Sequence, residues 1–196
     1  MSFISTLGIA MGAAWVSGIN LYAAVATLGL LGRFANLQLP GELESLTNWW
    51  VIGVAIALYV IEFVADKVPL FDSFWDVVHT FIRIPAGAAL AATAFGDFDR
   101  SVQVIAFLIG GGIALSSHGT KASARAAINT SPEPVSNVTA SLVEDGVAFG
   151  SILLAVFYPI AIIVMVIVFV GASILILPKI ISFLRRIFNR FRRATE

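Results

Sequence analysis

Cysteine is absent from all 196 residues. That excludes disulfides, iron–sulfur clusters and thiolate-bound zinc. Charge is scarce as well: Asp, Glu, Lys and Arg make up 12% of the chain, against about 25% in a soluble domain. HExxH, the P-loop, GxSxG and recognised lipid phosphotransferase motifs are all missing, and no cofactor is expected. Met1–Ala14 holds no Lys or Arg, so it reads as the start of a first span and not as the basic region of a secretory signal.

What remains is strongly apolar. The chain is 59% hydrophobic, with a mean hydropathy of +0.94. These values predict an all-α fold, a polytopic transmembrane helix bundle of five to six spans at about 20 residues each. Residues 1–178 are expected to form one bundle, with the bilayer as its apolar surroundings. No room is left for a separate soluble domain.

The first span is expected over Phe3–Leu31, interrupted at Ser17-Gly18-Ile19-Asn20. Arg33–Asn48 reads as a loop, and Trp49-Trp50 as an interfacial marker. A second span over Trp49–Val64 is followed by a turn at Lys67-Val68-Pro69 and a third element over Asp72–Phe95. After the short loop Gly96–Arg100, a fourth element begins near Val102 and turns polar at Ser116–Lys121. Asn129–Asn137 carries strong turn chemistry. The last apolar stretch, Val147–Leu177, is long for one span and short for two, with a kink expected at Pro159. The positive-inside rule favours six spans, or one re-entrant element among five.

Residues 179–196 carry Lys179, Arg185, Arg186, Arg190, Arg192 and Arg193 against one acid, Glu196. Ile/Leu/Phe interleaved with Arg makes a basic amphipathic tail. It is expected in the cytoplasm on anionic lipid, with the lipid bilayer and not nucleic acid as partner.

At an offset of 101 residues, Ala13, Gly18, Ala23 and Ala26 meet Ala114, Gly119, Ala124 and Ala127. The same offset pairs Ser17 with His118, Asn20 with Lys121 and Glu44 with Asp145. This suggests repeat halves 1–100 and 101–178, inverted in the membrane if three spans separate them, with broken or re-entrant helices as in transporters.

The charges cluster where apolar sequence would be expected. Only six basic residues precede position 179, against eleven acidic ones. The densest group is Glu62, Asp66, Lys67, Asp72, Asp76, His79 and Arg83. On a helix, Asp72, Asp76, His79 and Arg83 share one face, while Glu62 and Asp66 end the helix before. A second stripe, His118, Lys121, Arg125 and Asn129, has the opposite sign. The two stripes either neutralise each other as buried ion pairs or line a hydrated site.

Three chemistries fit a hydrated site. Glu62, Asp66, Asp72, Asp76 and His79, with Arg83 on the same face, suit a coupling proton or cation. His118, Lys121 and Arg125, with Ser117, Thr120, Asn129, Ser17 and Asn20, suit a phosphate or carboxylate. If any metal binds, Asp72, Asp76 and His79 are the candidates. The Ser17–Asn20 segment serves either tight packing or a helix break lining the same cavity. Small-residue runs such as Ala86–Ala92 and Gly110-Gly111-Gly112 suit close helix contacts within or between subunits, so homo-oligomers are compatible with the sequence.

Three segments together resemble a known family. They are Ser17-Gly18-Ile19-Asn20-Leu21-Tyr22-Ala23; Glu62–Lys67 with Asp72, Trp75-Asp76, His79-Thr80 and Arg83; and His118–Ala122 with Asn129–Pro134. The chain resembles the DUF4126 family of bacterial integral membrane proteins, a domain of unknown function, up to about residue 178. The resemblance implies a bacterial plasma (inner) membrane location and no particular activity. The residues themselves point first to a small proton- or cation-coupled transporter or translocator, for a small anionic solute or a phosphate-bearing lipid headgroup. The alternatives are a metal-dependent membrane enzyme acting on a lipid phosphate, or a structural or accessory subunit.

Overall fold

The computed structural model describes the backbone of residues 1–35, 37–67, 69–129 and 134–194. It describes their side chains apart from those of 69–74, 134 and 183–194. Every regular element among the described residues is helical. In chain order these are α1 (Phe3–Phe34), a 3₁₀ segment (Gly41–Thr47), α2 (Trp49–Ala65), α3 (Pro69–Ala94), α4 (Arg100–Ile128), α5 (Pro134–Phe157) and α6 (Pro159–Ala194).

Local chemistry sets the ends. Ser2 caps α1 by accepting from Ser5 N, and Asn48 caps α2 by accepting from Trp50 N, each answering a backbone N–H that the first turn leaves unpaired. Helices α3, α5 and α6 each open on proline, which is tolerated at a first helical position because that N–H has no partner to lose.

The boundaries differ from the sequence reading in four places. The expected loop Arg33–Asn48 contains the 3₁₀ segment, whose Leu43 is fully buried. The third element begins at Pro69, three residues before Asp72. The turn-rich segment ends sooner than expected, because α5 already runs from Pro134 and takes in Asn137; Thr130–Glu133 lie outside the described residues. The 31-residue apolar stretch is two helices, divided at Tyr158 ahead of Pro159, and its first part belongs to a helix that started much earlier.

The break predicted at Ser17–Asn20 is present. Asn20 has extended backbone angles (φ −150°, ψ 97°) inside α1, and its Oδ1 accepts from Ala23 N at 2.9 Å. Asn20 therefore ends one arm, residues 3–19, and caps the next, residues 21–34.

The second arm turns back. At the start of α1, the Phe3 ring lies 5.9 Å from Phe95 and 6.0 Å from Phe98. At its far end, Gly29 packs on Leu46 and Ile52, and Gly32 on Thr47 and Leu39. Gly41, at the head of the same 3₁₀ segment, packs on Thr93 and Ala94. Both ends of α1 thus lie beside the end of α3. Although α1 is long and apolar enough to cross a membrane by itself, it is a re-entrant hairpin with its tip at Asn20; α3–α6 are each long and apolar enough to cross, as is α2 together with the 3₁₀ segment.

Small residues let the bundle close around the hairpin. Added methyl groups at Gly8 and Gly12 would lie 2.6 Å from the Cβ atoms of Pro159 and Ala155. Gly18 abuts Ser117 and Ala114. Such contacts let membrane helices approach backbone to backbone. The hairpin is the most enclosed element: 72% of its most apolar window is buried, against 11% for α6, which faces outward.

Helix α4 is continuous through Ser116–Lys121. The second half therefore lacks the break that an inverted duplication of α1 would supply. In a cysteine-free background, Ser2→Cys and Glu42→Cys are expected to react with an impermeant thiol reagent from the same side of the membrane, and Ser182→Cys from the other. Labelling of positions 2 and 42 from opposite sides would mean that α1 crosses.

Candidate functional site

The tip of the hairpin sits in a cage of charges. A helix break at bilayer depth leaves backbone groups that no water satisfies, and here α4 supplies a partner: Lys121 Nζ donates to Ile19 O at 3.1 Å. Ser17 Oγ donates to Arg83 O at 2.8 Å, and Asn20 Nδ2 donates to Asp145 Oδ1 at 3.2 Å.

Arg83 on α3 is wholly buried. Its Nη2 lies 2.7 Å from Glu62 Oε1, and its Nη1 lies 3.0 Å from Asp76 Oδ1. Lys121 lies 3.3 Å from Asp66 Oδ2, 3.4 Å from Glu144 Oε2 and 3.8 Å from Glu62 Oε1. Arg125 grips Glu144 with two parallel bonds, Nε to Oε1 at 2.9 Å and Nη2 to Oε2 at 2.7 Å, the fork geometry that suits a guanidinium to a carboxylate. It also donates to Asp66 O and to Asn137 O and Oδ1. The network runs from Asp76 through Arg83, Glu62, Lys121 and Asp66 to Glu144 and Arg125, tying α2, α3, α4 and α5 together.

Two imidazoles flank it. His79 Nδ1 donates to Trp75 O at 2.9 Å, so its Nε2 accepts from the Tyr22 hydroxyl at 3.1 Å. The Thr80 hydroxyl gives its proton to Asp76 O, and so accepts from His118 Nε2 at 2.7 Å. His118 Nδ1 then stands between Arg83 Nη1 at 3.4 Å and Gly18 O at 3.3 Å. A bare nitrogen accepts from the arginine, and a protonated one donates to the carbonyl.

The charges do not balance. Among the described residues, five carboxylates (Glu62, Asp66, Asp76, Glu144 and Asp145) meet three enclosed cations, Arg83, Lys121 and Arg125, and the half-buried Lys67 beside Asp145 and Asp66. Four buried carboxylate oxygens have no hydrogen-bond partner among the described residues: Glu62 Oε2, Asp66 Oδ1, Asp76 Oδ2 and Asp145 Oδ2. A buried polar atom left unpaired is costly, and a carboxylate oxygen in that position has the chemistry to accept a proton or a cation. Lys67, in the turn after α2, donates to Phe63 O at 2.7 Å and Ser141 Oγ at 3.5 Å. Burial lowers its ammonium from the ordinary value, while Asp145 and Asp66 pull it the other way.

The structure brings together Glu62, Asp66, Asp76, Arg83, His118, Lys121, Arg125, Ser17 and Asn20, with His79 one contact away. Thr120 points elsewhere, to Ser116 O and Ser173 Oγ on α6. Ser117 bonds within its own helix and packs on Gly18. Asn129 forms the C-cap of α4, and the Asp72 side chain lies outside the described residues. Among the described residues, no three His, Asp or Glu groups are placed to hold a metal ion.

Sequence reasoning missed Tyr22, Asn137, Ser141, Glu144 and Asp145 as site residues. The signal existed: Asn137, Ser141 and Glu144/Asp145 recur at helical spacing. Reading residues 129–137 as a loop hid it.

A cleft of 610 Å³ opens among the second arm of α1, α2 and α3. It runs from Trp50 and Ser45 past Val54, Ala86 and Leu90 to Tyr22. Its walls are apolar, and Tyr22 links it to His79.

Fold and site together define the class: a multi-pass α-helical membrane protein whose re-entrant hairpin is held by a buried charge network. The family model described as a domain of unknown function, DUF4126, matches residues 7–179, and the chain belongs to that family. No curated protein and no solved structure matches it.

Removing Arg83 leaves the buried Asp76 without its cation and Glu62 with only Lys121 at 3.8 Å. Arg83→Met is expected to cost about 3–5 kcal/mol, read as loss of thermal stability in detergent. Thr120→Val loses only hydrogen bonds outside the network and is expected to cost about 1 kcal/mol.

Proposed function

We propose that this protein is a small membrane transporter coupled to a proton or cation, moving a small anionic solute or a phosphate-bearing lipid headgroup. One observation carries the reading: an excess of buried carboxylates, four of them with an unpartnered oxygen, surrounds a broken helix at bilayer depth. Ionisable groups at that depth mark ion and proton pathways, and broken helices offer backbone groups to transported ions.

The anion would enter by exchange. Lys121 and Arg125 are already neutralised, but one of their partners, Glu144, is the network's most exposed acid, with 18% of its side chain accessible. A phosphate or carboxylate taking its place would meet both cations. The apolar cleft ending at Tyr22 offers a lateral route for an amphiphilic substrate. The basic tail continues α6 on the side where Lys67 lies. The positive-inside rule places that side in the cytoplasm and the tail on anionic lipid, and the protein would sit in a bacterial plasma membrane.

The complete pairing of the three buried cations favours one competing reading, an accessory subunit whose charges only hold its helices together. Asp76→Asn keeps a hydrogen-bond acceptor for Arg83, and Lys121→Gln keeps a donor for Ile19 O. Both variants are expected to assemble at wild-type levels, yet to abolish the proton movement that a phosphate or headgroup gradient drives in proteoliposomes containing a pH-sensitive dye. Loss of assembly in both, with rescue by charge exchange and no proton movement in the wild type, would establish the accessory role instead.

A further inference from the structure

Asp145 stands apart from the other carboxylates of the network. Glu62, Asp66, Asp76 and Glu144 each lie within ion-pair distance of an arginine or lysine. Asp145, 7% exposed, forms no ion pair among the described residues. Its Oδ1 accepts from Asn20, the residue at the tip of the hairpin; its Oδ2 is buried and makes no full hydrogen bond among the described residues, and the Tyr59 hydroxyl on α2 faces the carboxylate.

The charged and titratable groups around Asp145 come from several elements. Asp66 and Lys67 follow α2, Tyr59 lies on α2, Lys121 on α4 and Glu144 on α5 itself. A lone carboxylate in such a place is costly when ionised.

Among the described residues, Lys67 is the cation placed to answer it. Lys67 also forms no ion pair among the described residues, and its Nζ rests against Phe63 and Ser141 Oγ. Ser141 and Asp145 are one helical turn apart on the same face of α5. A change of rotamer along the lysine stem would carry the ammonium from the serine to the carboxylate.

We propose that Asp145 is the proton-binding site of this protein and that Lys67 is its exchangeable counter-ion. With the proton on Oδ2, Asp145 is neutral, keeps its bond to Asn20, and Lys67 rests on Ser141. When the proton leaves, Lys67 moves onto the carboxylate and α5 is tied to the α2–α3 turn. The proton thereby acts on the two elements that meet at the hairpin tip. This deepens the transporter reading by naming the residue that carries the coupling proton.

The test reads protonation directly. The full-length protein in membrane vesicles is treated with dicyclohexylcarbodiimide, which modifies protonated carboxyl groups in apolar surroundings, across a pH series, and the modified peptides are mapped. Asp145 is expected to be the main site, with modification falling as pH rises. In Lys67→Gln the ionised form loses its counter-ion, so modification should persist to higher pH.

Infrared difference spectra supply a second readout, since Asp145→Asn should remove a pH-dependent protonated-carboxyl band. Labelling concentrated on Glu62, Asp66 or Asp76, a profile unchanged in Lys67→Gln, or a band that survives in Asp145→Asn would each overturn the proposal. Proton movement that persists in proteoliposomes while Asp145 fails these tests would overturn this site alone. A titrating Asp145 without substrate-driven proton movement would instead overturn the transport reading.

Discussion

A guanidinium with no access to solvent must find its compensation within bonding distance, and Arg83 does so with Glu62 and Asp76. Much else follows from that requirement. Glu62 must be delivered by α2 and Asp76 by α3, which fixes how those helices stand relative to one another. Glu62 also reaches Lys121, so α4 is drawn into the same arrangement. Lys121 in turn meets the carbonyl that the break in α1 exposes. Desolvation makes each link expensive to leave unmade and modest once made, so such a network specifies geometry more than it adds stability.

The hairpin and the network depend on each other. A chain that turns inside a membrane cannot leave its backbone groups bare. Asn20 covers one N–H of the second arm with its own side chain, and α4 covers a carbonyl of the first. In return, the hairpin fills the centre of the bundle with small residues and lets the other helices converge on one level. That level holds the imidazoles of His79 and His118, the excess carboxylates and the floor of the apolar cleft. The proposed transport reading rests on that combination of fixed cations, surplus acids and a broken helix.

Much of this was legible in the sequence, and the limits have physical causes. Apolar runs reveal helices because a membrane span needs a minimum apolar length. The Asp76/Arg83 and Lys121/Arg125 spacings reveal stripes because side chains recur every 3.6 residues. The Ser17–Asn20 break was visible because polar and small residues interrupt an apolar run. Glu144 and Asp145 were not placed in the site because the Pro/Ser/Asn-rich segment before them reads as a loop when taken alone, whereas Pro134 opens a helix here. Thr120 and Ser117 were assigned to the site by proximity in sequence, yet helical rotation turns Thr120 toward α6 and locks Ser117 against Gly18.

The sequence by itself determined the class of protein: an all-helical membrane bundle, with charges too costly for lipid and therefore turned inward. Periodicity and hydropathy are local properties, and local properties suffice for that. Only the tertiary structure decided that α1 returns to the side it came from, that the acidic and basic stripes pair, and that Asp145 has no ion-pair partner among the described residues. These outcomes depend on which groups meet across tens or hundreds of residues of chain. Both a crossing helix and a hairpin satisfy the same apolar sequence until the neighbours that hold the turn are in place.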